Sequence, residues 1–242
     1  MKLRNIVLTM AIIQSINAAH AMGAGDTLVN LGWINMEPNE VSQPLLVTAM
    51  GHTNSIVGSG TSLRDANTGA LTVSYFFTDH LAVEMVLGIP PTVHLDGTGS
   101  IAKIGELGKA KANVPTVESF YYFGTKDSAL RPFLGVGVSY AKYTGIELTQ
   151  HVADGEFLAS SKTGTALVGP TIAHIDSNFF PIFTGGLLYQ ITPKWSARVS
   201  ASYIPLRLDA TLNTQAPVGT VTSEVKSSLN TLMTFFSVGY TF

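Results

Sequence analysis

The sequence predicts an all-β fold: an eight-stranded antiparallel transmembrane β-barrel with short periplasmic turns and long extracellular loops. Three observations carry this expectation. Large apolar residues alternate with small or polar ones along much of the chain, the connections alternate between short and long, and only 12% of residues are charged, about half the ~25% of ordinary soluble domains.

The N-terminal segment reads as an export signal. Lys2 and Arg4 precede an apolar run from Ile6 to Ile16, and Ala19-His20-Ala21 supplies the small-x-small pattern of a cleavage site. The run is shorter than the ~20 residues a helix needs to cross hydrocarbon. Residues 1–21 are therefore expected to be a cleavable signal peptide and residues 22–242 the barrel domain. A net charge of -2 and the lack of a Lys/Arg run argue against nucleic acid as a partner. With no cysteine, neither disulfides nor thiolate chemistry is available.

The clearest strands have period two. Leu71, Val73, Tyr75 and Phe77 alternate with Ala70, Thr72 and Ser74; Leu81, Val83, Met85, Leu87 and Ile89 alternate with Ala82, Glu84, Val86 and Gly88. The same pattern covers Leu134 to Ala141, Trp195 to Tyr203 and Leu232 to Phe242. The large residues suit lipid and the small or polar ones a lumen. Less cleanly patterned strands are expected at Asp26 to Met36, Val114 to Phe123 and Ser177 to Ile191.

Short turns fall at Thr78-Asp79-His80, around Thr125-Lys126-Asp127 and at Thr192-Pro193-Lys194. Long connections are expected at Glu37 to Leu63, Asp96 to Ala112, Gly145 to Asp176 (with room for a short helix) and Asn213 to Thr222. Three short and four long connections imply eight strands with both ends in the periplasm. Trp33, Tyr75, Phe77, Tyr121, Phe123, Tyr189, Trp195 and Tyr203 then fall near strand ends, where aromatic girdles form. The closing Phe236-Ser237-Val238-Gly239-Tyr240-Thr241-Phe242 has the form of a terminal assembly signal, with Tyr240 and Phe242 as its aromatics and the outer-membrane assembly machinery as the implied partner.

The inward face, ordered by distance from the short turns, gives a depth profile. Thr72, Ser74, Glu84, Glu118, Gln190, Ser196, Arg198 and Ser237 are expected low, making a polar lower lumen. Ile34, Met36, Val86, Phe180, Ile182, Ile204, Met233 and Phe235 are expected higher, making an apolar channel for a small apolar substrate. Glu84, Glu118 and Arg198 share a depth, and buried charge persists only when paired, so they are expected to form a plug. Proline donates no ladder hydrogen bond. Pro90 and Pro91 beside Ile89, with Pro115 and Val117 on the next strand, therefore mark a candidate lateral exit. Gly135-x-Gly137 and Gly185-Gly186 are read as making room inside a small barrel or accommodating strand coiling.

Several of these segments together resemble the OmpW family of small outer-membrane barrels, which includes AlkL-type relatives. They are the first strand after Gly25, Tyr75-Phe76-Phe77-Thr78-Asp79-His80-Leu81-Ala82-Val83-Glu84, Arg131-Pro132-Phe133-Leu134-Gly135-Val136-Gly137, Lys194-Trp195, Tyr203-Ile204-Pro205, and Ser237 to Phe242. The resemblance implies an outer-membrane barrel of a Gram-negative-type envelope, in contact with lipid and lipopolysaccharide, that takes up small hydrophobic molecules and releases them sideways into the membrane. The alternative is a plugged structural barrel whose loops serve as a bacteriocin or phage receptor or an envelope anchor. An enzyme is not expected: no Gly-x-Ser-x-Gly elbow and no His-x-x-x-His pair is present. Neither cofactor nor metal is called for, and His52, His80, His94, His151 and His174 read as loop or turn residues. Of these, His94 and His174 sit near outer strand ends, where a weak metal or headgroup site is the alternative.

Overall fold

Most strands of the barrel are long enough to cross the membrane and several continue well beyond it, while the two facing strands at Leu81–Gly88 and Thr116–Tyr122 are the shortest, with 8 and 7 residues. The computed structural model describes residues 22–159 and 164–242; the expected signal peptide lies outside the described residues. In chain order the strands are β1 (Thr27–Ser42), β2 (Leu46–Ala49), β3 (His52–Ser55), β4 (Ser59–Leu63), β5 (Ala66–Phe76), β6 (Leu81–Gly88) and β7 (Thr92–Gly99). They continue with β8 (Glu106–Asn113), β9 (Thr116–Tyr122), β10 (Leu130–Leu148), β11 (Thr171–Ile175), β12 (Asn178–Gln190), β13 (Trp195–Ala216) and β14 (Gly219–Thr241).

Antiparallel ladders run from β1 to β5, β6, β9, β10, β12, β13 and β14, and β14 pairs back with β1. The sheet closes on itself, so its backbone N–H and C=O groups are paired around the barrel, except between the upper ends of β6 and β9, where the ladder stops at Val86–Thr116. Along β5 the exposure alternates strictly, with Leu71, Val73 and Tyr75 outward and Ala70, Thr72 and Ser74 buried. From Leu232 on β14 to Phe242 just past its end the rise is about 26 Å at ~3.4 Å per residue and ~40° tilt, which matches the ~25 Å apolar band of such barrels. Its lower rim carries Phe77, Tyr121, Phe123 and Trp195, and its upper rim Trp33 and Tyr203, all outward and exposed. The upper rim is polar as well: the Trp33 indole N–H donates to Asn67 Oδ1, and the Tyr203 hydroxyl donates to Asn230 Oδ1.

The short turns open on threonines for a local reason. Thr78 Oγ1 accepts from the Leu81 N–H at 2.9 Å, and Thr192 Oγ1 from the Trp195 N–H at 3.0 Å, so each hydroxyl closes the loop it begins. Thr125 and Ser128 bond in the third turn.

The extracellular half differs most from expectation. The described residues hold fourteen strands, because β2, β3, β4, β7, β8 and β11 occupy segments read as loops. Asn213 to Thr222 is not a loop: β13 and β14 stay paired from Trp195–Tyr240 up to Ala216–Gly219. Above the membrane β11, β13, β14, β2 and β3 form one wall, and β4, β7, β8 and the upper part of β10 form another. Within Gly145 to Asp176 lies the short helix for which there was room, α1 (Gln150–Ala153), followed by a single 3-10 turn. Leu158 from that segment joins Leu45, Val47, Ala210, Val221 and Val225 in a small apolar core.

Candidate functional site

The lumen is built in three layers rather than the two expected. The lowest adds an aromatic plug to the polar residues expected there: Met22, Leu28, Phe76, Phe120, Tyr122, Phe133 and Leu188 pack together, buried, and Gln190, Ser196 and Ser237 are buried as well. Arg131, fully buried, spans this layer, donating from Nη1 to the Met22 carbonyl at 2.7 Å and from Nη2 to the Asp79 carbonyl, beside the Tyr122 ring. Facing glycines create the space for the rings. A Cβ on Gly135 would lie 2.3 Å from the Phe120 ring and one on Gly186 2.4 Å from Phe133, and these are the residues directly opposite each ring in the ladders.

The middle layer holds the predicted charges. Arg198 Nη1 donates to Glu84 Oε2 at 2.5 Å, and the Ser74 hydroxyl donates to the same oxygen. The guanidinium rests 4.8 Å from the centre of the Phe120 ring and 4.5 Å from that of Phe133, a cation–π sandwich in a dry setting. Glu118 departs from the expected three-way pairing. It stands directly across the ladder from Glu84, but its hydrogen-bond donor is the Thr184 hydroxyl, at 2.6 Å to Oε2. A Cβ on Gly137, opposite it, would lie 2.6 Å from Glu118 Cγ, so the glycine leaves room for that side chain.

Above this lies an apolar chamber of about 220 Å³. Ile34, Met36, Val86, Phe180, Ile182, Ile204 and Met233 line it, while Phe235 packs beside it against Ile34 and Ala70. Glu118 lies on its floor. The same cavity includes Leu87, Ile89, Pro90, Pro91, Val114 and Pro115, although Leu87 and Ile89 are exposed on the outer face. The wall is interrupted there. The β6–β9 ladder stops at Val86–Thr116, and pairing resumes one residue out of step at Thr92–Lys111 between β7 and β8, with the Ala112 N–H donating to the Pro91 carbonyl. Ile89 is level with Gly69, which pairs with Trp33, so the break sits at the upper rim of the apolar band. Val117 does not line the cavity; it faces outward below the break, 43% exposed.

A second apolar cavity, about 90 Å³, lies in the extracellular extension, walled by residues such as Leu45, Leu95, Ile104, Leu148, Phe157 and Val225. Leu63, Val93 and Tyr143 line both cavities, stacking one above the other. Sequence reasoning missed this vestibule and Arg131. The signal for Arg131 was a basic residue at the first inward position after a short turn.

Over the break, Arg64 binds Asp96 through two bonds of 2.6 Å and reaches Glu106 at 3.1 Å, which also meets His94 at 3.1 Å. This network ties β7 and β8 to the β4–β5 junction. The Arg64 hydrogen bonds hold the Asp96 carboxyl below its ordinary 3.8. Among the described residues no group of three His, Asp or Glu is placed to hold a metal.

The sequence model of the OmpW family matches residues 23–242. The chain belongs to the OmpW family. Its relatives include Outer membrane protein W of Vibrio cholerae, 26% identical over 92% of this chain and 94% of that one. Outer membrane protein AlkL of Ectopseudomonas oleovorans is 27% identical over 65% of this chain and 59% of its own length. Among solved structures, OprG from Pseudomonas aeruginosa superposes with a TM-score of 0.76 at 21% identity, covering 93% of this chain and 98% of OprG. The solid-state NMR structure of AlkL gives 0.60 at 17% identity, covering 94% of each chain. This OmpW-family chain is an outer-membrane protein in contact with lipid and lipopolysaccharide, and its family is not one of enzymes.

Proposed function

We propose that the protein is a passive route for small hydrophobic molecules: capture in the vestibule, descent into the chamber, and release through the wall between β6 and β9 into the outer leaflet. The observation that carries this reading is one cavity that is apolar in the upper lumen and continues through the interrupted wall, above layers that fill the barrel below it. Leaving water favours an apolar solute by roughly 0.8 kcal/mol per methylene. Passing on downward would set it against Glu84, Arg198 and Glu118 and then the packed rings, so the sideways path is downhill. The prolines support this path, since none of the three supplies a backbone donor to re-zip the ladder.

The test is uptake of labelled n-octane by cells carrying the protein, an empty control, or Ile204→Trp, which fills the chamber. The reading expects uptake with the protein and a fall to the control level with Ile204→Trp present in equal amount. Equal uptake with and without the protein would leave the closed barrel with surface loops as the better account. As part of the same proposal, residues 1–21 direct export and are removed, and Tyr240 and Phe242 are read by the assembly machinery. Tyr240 packs edge-on against Trp195 and Phe242.

A further inference from the structure

Glu118 has a setting that a plug alone does not account for. The middle layer contains two carboxyl groups and one guanidinium, and the guanidinium is committed: Arg198 pairs with Glu84, whose Oε2 also accepts from Ser74. Glu118 is 3% exposed, and among the described residues no Lys, Arg or His lies within ion-pair distance of it. Its hydrogen-bond donor is the Thr184 hydroxyl, on Oε2. The carboxyl belongs to the floor of the apolar chamber, whose neighbouring hydroxyls, Thr116 and Ser139, bond each other at 2.7 Å. Glycine at 137 keeps the space that this side chain occupies.

From this geometry we infer that Glu118 is a recognition group, and that the chamber takes apolar chains carrying one hydrogen-bond-donating head, alkylamines above all and primary alcohols next. The inference rests on the passage proposed above and names its substrate class. A buried carboxyl without a cation is costly, and an ammonium head supplies both the missing charge and the donors, as charge-assisted bonds do. The head sits at Glu118 while the tail fills the space under Ile182 and Ile204. Because Glu118 lies on β9 two residues past Thr116, where the ladder breaks off, the anchored tail lies beside the opening in the wall. An alkyl carboxylate brings a like charge to the same spot and is disfavoured.

The test uses the whole barrel in lipid nanodiscs, titrated separately with 1-octylamine, 1-octanol, n-octane and octanoate. The methyl NMR signals of Ile34, Ile182, Ile204, Met36 and Met233 report occupancy of the chamber. The expected order is octylamine, octanol, octane, octanoate, with octylamine about tenfold tighter than octane and that preference lost in Glu118→Gln while octane binding persists. Octane binding as tightly as octylamine in the unaltered protein, or an amine preference that survives Glu118→Gln, would overturn the role of Glu118 and leave the passage itself standing. If no probe moves the chamber methyl signals, the passage fails and the inference fails with it. The order in the unaltered protein needs no variant to fold, so the inference is open to refutation either way.

Discussion

The lower and upper halves of the lumen are walled by the same closed sheet yet are filled in opposite ways. Below, rings and charges occupy the space: Phe120 and Phe133 lie over glycines, Arg198 is held between them, and Arg131 ties Met22 to the turn at Asp79. Above, Ile34, Ile182 and Ile204 line open space, and the wall has lost several ladder steps. The lower half shows how a narrow barrel is made rigid and closed. The upper half gives up packing and pairing at one level, the rim of the apolar band, where an opening faces lipid.

The largest effect on this contrast is expected from the buried ion pair. Removing one partner of such a pair leaves a buried charge and costs roughly 3–5 kcal/mol. Arg198→Met should lower the unfolding free energy by that order, measured by urea unfolding in lipid, and the double variant with Glu84→Gln should regain much of it. Equal stability of Arg198→Met and the unaltered protein would mean that the two side chains are not coupled. The next effect tests the rings. Gly135→Ala places a methyl against Phe120 and should destabilise by about 1–3 kcal/mol, with partial recovery in combination with Phe120→Leu. If Gly135→Ala is neutral alone, the ring does not need the glycine.

How far the sequence could reveal these two halves depended on what each strand faces. Leu71 to Phe77 and Leu81 to Ile89 were legible because lipid on one side and a lumen on the other enforce period two. The aromatic plug was not, because Phe120-Tyr121-Tyr122-Phe123 is an unbroken aromatic run in which Tyr121 faces lipid and Tyr122 the plug, so alternation in size vanished. The chamber was legible from its isoleucines and methionines, and the break from its prolines. Asn213 to Thr222 read as a loop because its buried face mixes Thr214 with Ala216 and Val221 and so shows no apolar alternation. There Thr222 bonds Asn213, and Thr171 on β11 bonds Thr214, hydroxyl to hydroxyl, in a polar ladder.

A smaller effect should come from the chamber itself. Ile204→Ala adds to space that already exists, so its cost should fall at the low end of the ~2–5 kcal/mol of such truncations, well below Arg198→Met in the same urea assay. A cost as large as that of Arg198→Met would show that the upper half is packed like the lower.

The smallest expected effect is in the clamp above the break. The Asp96 carboxyl is held below its ordinary 3.8 by Arg64, so its contribution is complete above that value and is lost as pH falls through the lowered one. Protection of the β7 amides, taken relative to their intrinsic exchange rates, should therefore fall only at acid pH in the unaltered protein, and Asp96→Asn should show the reduced protection already at neutral pH. If protection in Asp96→Asn matches the unaltered protein at neutral pH, the Arg64–Asp96 bonds do not hold this strand.

The most direct test closes the wall. The chain has no cysteine of its own, so Ile89→Cys with Asn113→Cys introduces a single pair of thiols across the break, joined by a short thiol-specific linker that a reductant cleaves. The account predicts that linked protein passes n-octane no faster than cells lacking it, and that reduction restores uptake. Undiminished uptake with the wall linked shut would contradict it.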